Sequence, residues 1–196
     1  MPRRKTQFVI GEYYHIYNRA AGRMSIFRSH ENYLFLLQLL KRYANNFQIT
    51  IIAYVLLPNH YHLLVRQDGE ISVSTFIQAV FKAYANAFNY ANKRSGTLFE
   101  DRFKAIHVEK DEYLHHLCRY IHANPVKQGI ATAIELWPYS NYLDWIEKRE
   151  GTLVDQRFVR AHFGTGDAYR VFVESSLTRQ VKLPSGLQVY LDELEV

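Results

Sequence analysis

The 196-residue chain has a single cysteine, Cys118, so it cannot close an intramolecular disulfide. One thiol also excludes the thiolate-rich tetrahedral sites of structural zinc and fits a reducing compartment. No apolar run approaches the roughly 20 residues that cross a bilayer. The first residues, Met-Pro-Arg-Arg-Lys-Thr, lead into no apolar signal core, so a cytoplasmic protein is expected rather than a secreted one. Repeats and low-complexity tracts are missing as well. What remains is the balance of an ordinary globular protein, 48% hydrophobic and 22% charged.

Such a length can bury a full core and suggests one domain with an appendage. The net charge of +5 is unevenly spread. Residues 1–110 hold 15 Lys and Arg against 7 Asp and Glu, a balance of +8, whereas residues 111–196 hold 9 against 12, a balance of −3. A basic part rich in aromatics suits a phosphate backbone and unstacked bases.

The chemistry begins at residues 51–67, where two apolar, β-prone runs flank Pro58-Asn59 and predict a hairpin. The second run opens with His60-Tyr61-His62. In a strand both imidazoles leave from one face, roughly 7 Å apart, and can close on one cation. Two imidazoles with open positions suit a catalytic ion that also takes substrate oxygens. Ordinary strand histidines are the competing reading.

Upstream, residues 12–18 alternate as a strand, with Tyr13, His15 and Tyr17 on one face, and residues 30–46 carry a helical apolar stripe. Downstream, a second helix runs from Ser72 or Ser74 to about Arg94, and a short strand is expected over 104–109. A third helix starts at Asp111 and should stop at or before Asn124, because Pro125 disfavours helical geometry in the residue before it. Short helices are expected over 154–163 and 167–177, while the apolar-acidic tail from Leu183 suggests no element. Strand, helix, strand, strand, helix, strand is the split pattern of a ferredoxin-like fold. The expected class is α+β: a ferredoxin-like antiparallel sheet with helices packed on one face and a small, mainly helical C-terminal extension. The expected boundary separates residues 1–135 from 136–196.

On the third helix Tyr113, His116, Tyr120 and Asn124 share one flank, about 100° from the apolar stripe of Leu114, Leu117, Cys118 and Ile121. The Asn124 oxygen can join two imidazoles around a metal. Tyr120, one turn earlier, could approach whatever that metal polarises. A boundary aromatic is an equal reading of Tyr120 from spacing alone.

Three stretches together, Pro58 to Val65, Gly96 to Lys104 and Arg119 to Lys127, resemble the REP-associated tyrosine transposases, single-tyrosine members of the HUH endonucleases. The likeness covers about residues 8–145. It implies that His60, His62 and Asn124 hold a divalent ion, Mg²⁺ or Mn²⁺, and that Tyr120 is the nucleophile. His116, Tyr113 and His15 are candidates for supporting roles. It further implies cleavage and rejoining of single-stranded DNA beside a hairpin of a palindromic repeat, through a 5′-phosphotyrosine. Backbone contacts are expected from Arg3, Arg4, Lys5, Lys82, Lys93, Arg94, Arg102 and Lys104. Such a protein would be cytoplasmic, associated with the nucleoid through DNA, and away from membranes. The segment after about residue 135 favours a monomer over a homodimer. The rivals are a non-catalytic single-stranded nucleic-acid-binding module on the same sheet and a metal-dependent hydrolase in which water attacks.

Overall fold

A computed structural model describes residues 6–178. The basic residues Arg3, Arg4 and Lys5 and the tail from Leu183 lie outside the described residues. Strand β1 is Tyr13–Arg19, helix α1 His30–Phe47, and the hairpin β2 Ile49–Leu57 and β3 His60–Gln67. Helix α2 follows at Val73–Ala91, then β4 at Lys104–Val108 and α3 at Asp111–Lys127. Helices α4 (Tyr142–Trp145), α5 (Gln156–Phe163) and α6 (Gly166–Thr178) form the C-terminal part. Ser72 caps α2, its side chain accepting the Thr75 N–H. Among the described residues no helix is long and apolar enough to cross a membrane.

The strands form one antiparallel sheet in the order β2-β3-β1-β4, as the ferredoxin-like pattern requires. Helices α1 and α2 cover one face, packing on Tyr14, Ile16, Tyr61, Leu63 and Val65. Helix packing is fuller than the one-face arrangement expected. The other face carries α3 and, against it, Tyr142, Trp145, Phe158 and Tyr169 of the C-terminal part. The cause is β2. A bulge between Ile51 and Ala53 turns Ile52 and Ala53 both to the second face, where Val55 and Leu57 follow, so this face also has an apolar patch for a helix to cover.

Helix α3 also departs from expectation, continuing through Pro125 to Lys127. Proline sits in the last turn, where a missing N–H removes a single intrahelical bond and Gln128 still donates to the Asn124 carbonyl. From Leu117 to Pro125 the helix is buried on all sides, enclosed by the sheet and by α6.

The outer edge of β2 is covered by the segment Trp137–Asn141. The Leu56 N–H donates to Tyr139 O at 2.9 Å, and the Trp137 indole donates to Leu56 O at 3.0 Å. Val55 and Ser140 form an isolated antiparallel bridge. Asn141 completes the cover, accepting from the Tyr54 N–H at 2.8 Å and donating to Ile52 O at 2.8 Å.

Candidate active site

The hairpin turn at Pro58-Asn59 starts β3 at His60, so His60 and His62 point from the second face, opposite to Tyr61 and Leu63. The imidazoles are edge to face, with ring centroids 5.3 Å apart. Register places Arg19 of β1 opposite His60 and Tyr17 opposite His62. Helix α3 crosses this face and brings the Tyr120 ring edge-on to His62, centroids 5.5 Å apart. Asn124, one turn on, lies against His60. Four residues from a strand and a helix about 60 positions away in sequence therefore converge.

The electrostatics keep both imidazoles neutral. Burial, with Arg19 nearby, lowers the His60 pKa to about 4, against a smaller opposing effect of Asn124. Burial, reinforced by His15 and His60, holds His62 well below the usual imidazole value. Each ring is also oriented through its Nδ1. His60 Nδ1–H donates to Asn59 Oδ1 at 2.7 Å, which leaves the lone pair on Nε2. His62 Nδ1 lies 3.1 Å from His15 Nε2. The Asn124 Oδ1 is buried and makes no hydrogen bond of good geometry. Neutral imidazole nitrogens plus an orphaned carboxamide oxygen form a donor set that fits a divalent cation.

Tyr120 is 3% exposed, which corrects its placement off the buried stripe: packing by α6 and the sheet extends the core around the whole helix here. Lys127 holds its ammonium 5.6 Å from the Tyr120 ring centre. His15 joins the group through His62, with its own pKa lowered by burial to about 3. His116 and Tyr113 turn elsewhere. His116 Nδ1 contacts an Arg119 nitrogen at 2.6 Å and its ring stacks on Phe172. Tyr113 packs at the margin of the second core under Lys110.

Beside the histidines opens a cavity of about 390 Å³, lined by Tyr17, Arg19, Arg23, Asn59, Arg102 and Lys104 among others. Arg102 and Lys104 were expected as phosphate contacts; Lys82, Lys93 and Arg94 lie on α2 and the turn after it, off the cavity. Arg19, Arg23 and Asn59 were missed by sequence reasoning. Asn59 reads as a turn residue, and only strand register brings Arg19 beside His60.

Residues 9–124 match the family described as Transposase IS200 like. The chain belongs to the IS200-like transposases. The matched span opens just before β1 and ends on Asn124, so it holds both histidines and Tyr120. A REP-associated tyrosine transposase of Escherichia coli (strain K12) is 33% identical over 95 residues, 47% of this chain and 53% of that protein. The aligned part is thus about half the length of that curated relative. A solved REP-associated tyrosine transposase bound to a REP hairpin has the same fold, with a TM-score of 0.63 at 20% identity, over 79% of this chain and 94% of the other.

Proposed function

We propose that this transposase is a metal-dependent single-strand DNA endonuclease and strand transferase that works beside a hairpin of a palindromic repeat. The supporting observation is the convergence of His60, His62 and Asn124 on the Tyr120 ring, 5.5 Å from His62. The hairpin carried by the structural relative supports the substrate class.

His60, His62 and Asn124 would hold Mg²⁺ or Mn²⁺. When bound, such an ion supplies Lewis acidity toward the non-bridging oxygens of a phosphodiester. Arg19, Arg23, Arg102 and Lys104 line the adjoining cavity and offer positive charge to the strand. The Tyr120 oxygen attacks phosphorus and loses its phenolic proton. The bond from phosphorus to the 3′-oxygen breaks, and that oxygen takes up a proton to leave as a 3′-hydroxyl. The DNA stays on the protein as a 5′-phosphotyrosine. One phosphoester replaces another, so the reverse attack by a 3′-hydroxyl rejoins DNA without ATP. Tyr120 is buried, so productive binding has to uncover it.

Labelled single-stranded hairpin DNA with Mn²⁺, run on denaturing gels, tests the reading. Wild type should yield nicked product and a protein-linked band. Tyr120→Phe should lose both and keep hairpin affinity. Adduct with Tyr120→Phe would move the nucleophile to another residue, and nicking without adduct in the wild type would favour water attack. Binding with neither product would leave a nucleic-acid-binding module.

A further inference from the structure

His15 is buried in the middle of β1, between the core residues Tyr14 and Ile16. Its direct partners on the two neighbouring strands are Leu64 and Ile106, neither of which offers a polar side-chain atom, and the ring reaches diagonally to His62. The two nitrogens meet at 3.1 Å, with rings within 15° of parallel and both side chains at most 2% exposed. Tyr17 stacks on both, its centroid 5.2 Å from His15 and 5.9 Å from His62. A histidine so deep in a strand is costly unless its polar atoms are used.

A neutral imidazole carries one N–H and one lone pair. Across this contact one ring must therefore donate and the other accept. If His15 donated, the His62 proton would sit on Nε2 and His62 would have no lone pair left for a metal. If His62 donates from Nδ1, its Nε2 lone pair is presented, as Asn59 arranges for His60.

We propose that His15 is a positioning residue that accepts the Nδ1–H of His62 and so fixes the His62 tautomer with its lone pair on Nε2. It acts through His62 and touches neither DNA nor the reacting atoms. The assignment rests on the metal-site reading above, but its primary test needs no metal. His60 and His62 would then share one design, each with Nδ1 committed to a protein acceptor and Nε2 kept as ligand. Partners of this kind typically contribute 10–100-fold to metal affinity.

Long-range ¹H–¹⁵N spectra of metal-free, ¹⁵N-labelled protein at neutral pH report tautomers directly, with His62 assigned by its loss in His62→Gln. Wild type should show His62 protonated at Nδ1. In His15→Leu the proton should move toward Nε2, and Mn²⁺ affinity, followed by paramagnetic resonance, should fall about 10–100-fold. In His15→Gln, whose carboxamide oxygen can take the place of Nε2, both should stay near wild type. A wild-type His62 protonated at Nε2 overturns the proposal, even if His15→Leu does not fold. So does a folded His15→Leu with tautomer and Mn²⁺ affinity unchanged. Wild-type protein that binds no Mn²⁺, yet shows the Nδ1–H tautomer, would instead defeat the metal-site reading and leave the contact standing.

Discussion

A phenol ordinarily loses its proton near pH 10, so Tyr120 needs help at neutral pH. His116 faces Arg119 and Phe172 and is poorly placed to give it. Lys127, two turns after Tyr120, holds its ammonium 5.6 Å from the ring, and a nearby cation favours phenolate. Lys127→Met should slow adduct formation about tenfold at neutral pH, the effect of one pKa unit, and shift its pH profile upward. Lys127→Arg should keep most of the rate. Single-turnover adduct formation from pH 6 to 9.5 checks this, and an unmoved profile would remove Lys127 from the activation of Tyr120. At Asn124 the orphaned Oδ1 predicts a different signature. Asn124→Leu should keep or raise stability, since it removes an unpaired buried oxygen, while weakening Mn²⁺ binding in calorimetric titration. Tyr120 and Asn124 were legible because helical spacing puts i and i+4 on one flank. Arg19, Arg23 and Asn59 were not, because they join the site only through register and loop placement, which no local pattern encodes.

The elements themselves were readable to within a few residues wherever the apolar period was strong: the hairpin, α1, α2 and the start of α3. The exceptions are instructive. Pro125 signals a helix end in isolation, but packing on all sides of the last turns outweighs one lost hydrogen bond. The flank carrying Tyr120 reads as a boundary because a helical wheel cannot show that His62 on the sheet packs against it. What joins these elements is a polar knot inside the second core. His122 contacts Tyr169 and Asn141 from its two nitrogens, at 2.5 and 2.9 Å, and Asn141 binds the β2 backbone and Leu153 O. Asn141→Leu strands several buried groups at about 1–3 kcal/mol each. It should lower the urea midpoint far more than a surface change does. A near-normal midpoint would mean that water takes over the role of Asn141.

At the scale of the whole molecule, charge and burial set how the protein meets its solution. The first 110 residues carry the excess of +8, so hairpin affinity should fall steeply with salt as counterions are released. A flat response between 50 and 300 mM salt would contradict a phosphate-dominated contact. Acid acts on the fold itself. Burial lowers His15 to about 3 and His122 to about 4, whereas both return toward 6.5 when unfolded. Between those values the unfolded chain binds more protons, so stability rises with pH across the window and levels off above about 6.5. Denaturation midpoints at pH 7.5, 6 and 5 should therefore drop on the acid side, by up to roughly 1.4 kcal/mol per pH unit for each group. Equal midpoints at pH 7.5 and 5 would contradict it.

The cover that Trp137–Asn141 lays along β2 has a consequence beyond stability. Residues 49–57, Ile-Thr-Ile-Ile-Ala-Tyr-Val-Leu-Leu, carry no charge and no proline, the makeup of a segment prone to stack with copies of itself. An open β2 edge would be a template for another chain. Because Ile52, Tyr54 and Leu56 already spend outward-facing groups on this cover, the sheet is terminated and cannot recruit a neighbour there. The cover thus insulates the β2 edge from pairing with another chain, and loosening residues 137–141 would expose a segment able to seed a fibre.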